Sequence, residues 1–424
     1  MKELKFRNNI CNKMKYAEIL PILAVFTLIC SSGANMILRK IYIIAAISIA
    51  MLFYYKKINR KAVLVYIGLC LFFIIDSVFL NTAVTDYHEL LLLIIRCTCC
   101  LIIVSTLTLE QFKDAFIKIM IFLSILSLIC FGLILLGVTL PGSVTINNSY
   151  CTFYHCYSFT LQDETRRYRN CGIFTEPGIY EIYLNLAMVI LLSMKSIPLK
   201  KMRRYFWVLS MALISTISSM GYLAYLLVLI LYISYKPEMF GMKQKNGVYW
   251  RMAICVCLLI IGVIGGNIVM NFVLGTNSWS SRHDDTILTF LIAKDYPFWG
   301  IGIATDPIEI WDIYYNRYSA LRLYTGYQKA MSCGLGNYMC MAGIPFTVLY
   351  LVALVKMFTR MFEKKQYLLK LIIAVLIVMF LLEEPLLPTP FFYMGIFTMA
   401  AWKTKQNFNE IYSNDIKAIG REGI

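Results

Sequence analysis

Three arginines and a carboxylate stand within thirteen consecutive positions, Arg166-Arg167-Tyr168-Arg169-Asn170-Cys171-Gly172-Ile173-Phe174-Thr175-Glu176-Pro177-Gly178. An apolar run follows directly, so these charges sit at the mouth of a hydrophobic helix. Guanidinium groups grip phosphate oxygens through a planar fork, and they stabilise developing negative charge most strongly where water is kept away. A nearby carboxylate can accept the proton of an attacking hydroxyl. Glu176 has two readings: it is that base, or it belongs with Pro177 to a helix entry, where a carboxylate and a first-turn proline are both favoured. A second group, Ser280-Ser281-Arg282-His283-Asp284-Asp285, lies ahead of the apolar run 287–292, and Glu383 precedes Glu384-Pro385. The best candidates for holding a phosphate are Arg169 and Arg282, with Arg166 and Arg167 behind them. The alternative for all four is attachment to lipid headgroups. His283, Asp284 and Glu383 are further acid–base candidates, and Glu383 also serves as a candidate substrate contact.

Such groups need a scaffold, and composition says which kind. The 424 residues are 59% hydrophobic and 15% charged, with a mean hydropathy of +0.68. Soluble domains hold about 45–50% apolar residues, so the expectation is an all-α polytopic membrane protein. A span needs roughly 20 mostly apolar residues. Runs at 17–38, 41–55, 62–80, 90–107, 116–138, 179–194, 252–274, 337–356, up to 382 and 391–402 qualify. A long run at 205–235 is interrupted by Ser215-Thr216-Ile217-Ser218-Ser219-Met220-Gly221 and reads as two helices joined by a tight hairpin. The total is about twelve transmembrane helices in a single integral membrane domain over 1–424.

The net charge of +16 comes from Lys and Arg gathered in alternate loops, which is positive-inside patterning and excludes nucleic acid as the partner. The lysine-rich N-terminus and the basic stretches at 56–61, 195–204, 236–251 and 360–370 fall on one side, with both termini cytoplasmic. Two long loops fall on the other, both expected to contain short interfacial helices: 139–178, which carries the arginine motif, and 275–336. In the second loop Asp284 and Asp285 suit a helix N-terminus ahead of 287–292. The first long loop lacks helical periodicity up to position 169; Cys151 and Cys156 there are a candidate disulfide. Most of the fourteen cysteines lie in apolar runs as small hydrophobes. The three histidines have no metal-ligand spacing, so no metal or other cofactor is expected. Within the helices, Asp76 and Arg96 are expected to pair across antiparallel neighbours, because a lone charge there is costly; a functional role is the alternative.

The opening motif resembles the Arg-x-x-Gly-x-Phe-x-Glu-Pro-Gly signature of the O-antigen and capsular polysaccharide polymerases (Wzy-type), relatives of the O-antigen ligases. Arg169, Gly172, Phe174, Glu176, Pro177 and Gly178 carry the resemblance. It extends to the Ser/Thr break near 215–221. It also covers the second loop, where an arginine, a short helix and Tyr296-Pro297-Phe298-Trp299-Gly300-Ile301-Gly302 follow in the family's order. Tyr296 replaces the family's His, and Gly336 stands where the ligase branch has a His. The resemblance implies a metal-independent glycosyltransferase at the outer face of the bacterial inner membrane. Its substrates would be undecaprenyl-diphosphate-linked oligosaccharides, with membrane lipids and a chain-length regulator as further partners. Aromatic residues of the loops, among them Tyr150, Tyr154, Trp311, Tyr314, Tyr315, Tyr318, Tyr324 and Tyr327, would stack on sugars or anchor the interface. Arg169 and Arg282 are expected outside the packed bundle. The rival readings are a ligase-like transferase and, from another class, a transporter of lipid-linked sugars.

Overall fold

The computed structural model describes residues 19–29, 41–55, 58–79, 84–141, 143–147, 152–155, 157–162, 167–174, 176–242, 277–305, 308–317, 333–362, 366–383 and 390–401. The expected span at 252–274, Arg166, Cys151 and Cys156 lie outside these residues. The first helices are α1 (Ile19–Ile29), α2 (Ile41–Tyr55), α3 (Arg60–Ile74, continued by a π turn Ile75–Phe79), α4 (Tyr87–Thr106) and α5 (Leu109–Leu135). A four-stranded sheet follows, with β1 (Val144–Asn147), β2 (Thr152–His155), β3 (Phe159–Gln162) and β4 (Tyr168–Gly172). Then come α6 (Pro177–Ser193), α7 (Leu199–Ser215), α8 (Ser219–Tyr235), α9 (Asn277–Asp295), α10 (Ile308–Arg317), α11 (Gly334–Thr359), α12 (Tyr367–Glu383) and α13 (Pro390–Ala401).

The protein is mostly helical. Among the described residues, α3 with its π turn, α4, α5 and α11 are long and apolar enough to cross a membrane, and shorter apolar helices accompany them. Local signals set the helix starts. Asn59 accepts from the amides of Lys61 and Ala62, Thr108 and Gln111 form a reciprocal capping box, and Ser218 caps α8 through the Gly221 amide. Every residue of α6 from Pro177 to Ser193 is buried, and α5, α7 and α8 pack around it. At about 1.5 Å per residue this central helix is roughly 26 Å long.

The first long loop holds strands among its described residues where short interfacial helices were expected, so the chain is not all-α. It folds into an antiparallel meander in the order β1-β2-β3-β4, and β4 rests on α5, α6 and α7. Side chains alternate across a strand, so the period-2 signal over four or five residues per strand is too short to stand out in a sequence.

Helix α11 is broken. Gly343 has φ 77° and ψ 166°, and Pro345 follows. Tyr338 and Tyr350 would lie about 18 Å apart along a straight helix, yet their rings stack with centroids 4.3 Å apart, so the break folds the two halves towards each other. The segment 296–305 fills the break. Ile301 and Gly302 donate to the carbonyls of Cys340 and Met341 at 2.9 and 3.0 Å, and Ile344 donates to Pro297 O at 2.9 Å. Irregular backbone inside a membrane protein is tolerated where protein buries it and satisfies its polar groups; residues 300–305 are all buried.

Candidate functional site at the α7–α8 hairpin

Strand β4 delivers the arginine motif to the hairpin between α7 and α8. Arg169 Nε donates to Thr216 O at 3.1 Å, which fixes the guanidinium on the hairpin. The next residue, Asn170, is fully buried; its Nδ2 donates to Ser127 Oγ on α5 at 3.1 Å and to Ser215 Oγ on α7 at 2.9 Å, and its Oδ1 accepts from the Gly172 amide at 2.9 Å. Gly172 has φ 57°, and a Cβ there would touch the Tyr180 ring at 3.0 Å. Tyr180 in turn shares a 2.8 Å hydrogen bond with Ser127. Phe174 is buried and stacks on Tyr183 with centroids 4.8 Å apart. The motif is thus largely a clamp that ties the strand to three helices. Arg169 belongs to this packing, which corrects the expectation that it lies outside the bundle.

Pro177 is the first residue of α6, and Glu176 is the extended residue before it. The Glu176 side chain is exposed and forms no capping hydrogen bond. The helix-entry reading is met in position, with Glu176 at the N-cap and Pro177 in the first turn, though without a side-chain capping bond; the carboxylate stands exposed beside the positive end of the central helix, where the base reading also remains. Arg167 is also exposed at the start of β4.

Two further carboxylates converge on the same hairpin. Glu383, the last residue of α12, is buried and accepts from Ser218 Oγ at 3.3 Å. Glu181, one turn inside α6, is fully buried and accepts from Asn185 Nδ2 at 3.1 Å, and that amide also approaches Gly221 O at 3.4 Å. A Cβ at position 221 would fall 1.9 Å from Glu181 Oε2, so a larger residue there would displace the carboxylate from its place. Arg169, Glu383 and the unforeseen Glu181, Asn185 and Asn170 therefore meet around residues 215–221. Glu181 carried a usable signal, a lone acid in an apolar helical run.

The second loop departs from its expectation in one respect. Helix α9 begins at Asn277, so Asp284 and Asp285 lie inside it and not at its N-terminus. Arg282, His283 and Asp284 occupy its second turn; their side chains lie outside the described residues. Helix α9 packs on α11, where a Cβ at Gly336 would come 2.1 Å from Thr289 Oγ1. No side chain fits at position 336 without a shift, which gives a physical reason for glycine where the ligase branch has His. Trp311 and Tyr314 are buried among Leu288, Ile292 and Cys340, so they are packing residues and not exposed sugar platforms. Tyr314 donates to Asp295, and burial together with that bond pushes its phenol above the ordinary range.

Asp76 and Arg96 do not pair. Arg96 bonds Glu89 on its own helix at 3.3 Å, while Asp76 Oδ2 accepts from the Ile303 amide at 2.7 Å. The re-entrant backbone supplies the polar partner that pairing was expected to supply.

An apolar groove of about 420 Å³ opens between α3, α11 and α13, with Gly68, Phe72, Trp299, Pro345 and Phe346 in its walls. It suits a hydrocarbon chain and offers no grip for phosphate. Among the described residues, no three His, Cys, Asp or Glu side chains come together in a way that would hold a metal ion.

These features define a helical membrane protein with a polar, carboxylate- and arginine-bearing cluster at one end of its central helix. No protein-family model matches the chain, and no curated protein matches it.

Proposed function

We propose that this protein is a polysaccharide polymerase joining undecaprenyl-diphosphate-linked oligosaccharides at the outer face of the bacterial cytoplasmic membrane. In this reading the chain spans the membrane about twelve times, with both termini inside and the motif-bearing loops outside. The observation that carries the reading is the convergence of Arg169 of the polymerase-like motif, Glu383 and the α6 residue Glu181 on one hairpin, with Glu176 of the same motif exposed just ahead of α6. A hydroxyl of one repeat unit attacks the anomeric carbon of another; the new glycosidic C–O bond forms as the C–O bond to the diphosphate breaks. The diphosphate leaves with the bonding pair, and Arg169, with Arg282 and Arg167, stabilises its charge. Glu176 takes the hydroxyl proton. The groove beside α3 supports the reading by offering an apolar surface of the kind a polyprenyl chain needs. The crowded Gly336 favours a polymerase over a His-dependent ligase.

The break in α11 favours a second reading, a transporter of lipid-linked sugars, since interrupted helices recur in transporters. Here the chain's own residues 301–302 fill the carbonyls of Cys340 and Met341, so the break does not present them to an ion or substrate. One experiment separates the two. Purified protein is given the lipid-linked repeat unit in detergent, where transport has no meaning. Lengthened glycan with release of undecaprenyl diphosphate is expected; absence of any product, together with movement of the substrate across proteoliposomes, would replace this reading with the second.

A further inference from the structure

The π turn at the end of α3 holds a carboxylate that the proposed chemistry does not use. Asp76 and Ser77 are fully buried, and together they grip the re-entrant segment: Ile303 donates to Asp76 Oδ2 at 2.7 Å and Ala304 donates to Ser77 Oγ at 3.1 Å. Thr85 closes the other side by donating to Ser77 O at 2.5 Å, and the Asp86 amide donates to Ala304 O at 2.9 Å. Asp76 Oδ1, in contrast, is buried without a hydrogen-bond partner among the described residues. An extra residue in a helix turn is a local strain that recurs at functional sites. An ionised carboxylate with one bare oxygen in a membrane interior is costly, and such groups neutralise themselves by taking up a cation.

Among the described residues, no charged neighbour does this for Asp76. On α4, Asp86, His88 and Glu89 are exposed, and Arg96 is engaged by Glu89. The cations on the other packed elements stand at their far ends, Arg60 and Lys61 at the start of α3, about 22 Å from Asp76 along the helix, and Lys356 in the last turn of α11; nearer are Tyr66 and Cys70 on α3, Cys97, Cys99 and Cys100 on α4, Tyr338, Cys340 and Tyr350 on α11, Tyr393 on α13 and Tyr296 in the re-entrant segment. None of these nearer groups carries positive charge.

We propose that Asp76 is an exchangeable cation site, taking a proton or a sodium ion on Oδ1 while Oδ2 holds the re-entrant segment. Proton uptake forms an O–H bond on the carboxylate and release breaks it; sodium uptake displaces that proton to solvent. The site is independent of the glycosyl-transfer reading, because no step assigned there passes through Asp76.

Infrared spectroscopy of the purified full-length protein, carrying ¹³C only in its aspartates, tests this. At low pH a carboxylic-acid carbonyl band is expected that is absent from Asp76→Asn. Asp76→Glu removes the same band by replacing the labelled residue while keeping a carboxyl group, so the assignment stands even where the asparagine variant fails to fold. The band should disappear as pH rises. Loss at fixed pH when sodium replaces potassium identifies sodium as the competing cation, and insensitivity to that exchange identifies the proton alone. Absence of the band at every pH, or its persistence at every pH at which the protein stays folded, would overturn the proposal.

Discussion

Two non-helical segments reach into this helical bundle, and they are fastened by opposite means. Residues 169–174 hold on with side chains: Arg169 on the Thr216 carbonyl, Asn170 on two serines, Phe174 on Tyr183. Residues 297–304 hold on with backbone, through Ile301, Gly302, Pro297, Ile303 and Ala304. A side-chain clamp leaves a recognisable string of residue types. A backbone clamp leaves only glycines, because the chains must approach closely and no particular side chain is called for. The two clamps should therefore fail differently when mutated.

The largest effect is expected where two backbones touch. A Cβ at Gly343 would lie 2.2 Å from the Phe298 carbonyl oxygen, and one at Gly300 would lie 2.5 Å from the Cys340 carbonyl oxygen, both at positive φ. Neither neighbour is a flexible side-chain tip that can move aside. Gly343→Ala and Gly300→Ala should each cost about 4 kcal/mol or more, seen as lost yield or a large fall in the thermal unfolding temperature in detergent. Gly68→Ala is the control: its Cβ meets nothing within 4 Å, and alanine in a helix interior should stabilise by about 0.5–1 kcal/mol. Equal tolerance of all three changes would show that the backbone clamp does not hold the fold.

The side-chain clamp should fail next. Asn170→Ala removes three hydrogen bonds and strands buried groups that cost about 1–3 kcal/mol each when left unpaired. A loss of about 3 kcal/mol is expected in the same unfolding measurement, and Asn170→Asp should recover only part of it, because its carboxylate accepts from Gly172 but cannot donate to Ser127 and Ser215.

Arg169 links clamp and chemistry, so its variants sharpen the comparison. Arg169→Lys retains the charge but loses the Nε bond to Thr216, and hydrogen bonds to charged groups are worth about 1.5–3 kcal/mol. Both Arg169→Lys and Arg169→Ala should therefore lower stability, a cost absent from the simpler picture of a surface arginine. In the elongation assay, alanine should also reduce turnover by about 10²–10³, normalised to folded protein. Full turnover per folded molecule in both variants would leave Arg169 as a clamp alone.

This mixture of roles explains what the sequence could tell. The apolar runs and the Ser215–Gly221 break were legible because hydropathy and small polar residues act over whole helices; α7 ends at Ser215 and α8 starts at Ser219. The arginine motif was legible as a string, but its meaning was divided: Asn170, which makes most of its contacts, looked like a spacer. Asp76 and Arg96 were expected to meet because charge balance is a sequence-level argument. Their actual partners, a backbone amide and Glu89, depend on a π turn and a re-entrant run of turns that leave no charge pattern. The meander at 144–172 was hidden because each strand is only four or five residues long.

Glu176 gives the smallest structural effect and the sharpest functional one. It precedes the first turn of α6, its side chain is exposed and makes no capping bond, and the clamp residues on either side of it hold without that side chain. Glu176→Gln preserves shape and removes only the ability to accept a proton. Unfolding should therefore change by no more than about 0.5 kcal/mol, in contrast to every clamp variant. If Glu176 takes the proton of the attacking hydroxyl, elongation should fall by about 10²–10⁴ at unchanged protein level, and lipid bearing a single repeat unit should accumulate. An acceptor hydroxyl with a lower pKa should then recover part of the rate in the variant, because less of the transfer depends on a base. A variant as active as the parent would remove Glu176 from the chemistry and shift the search for the base to Glu383 and the buried Glu181 beside the same hairpin.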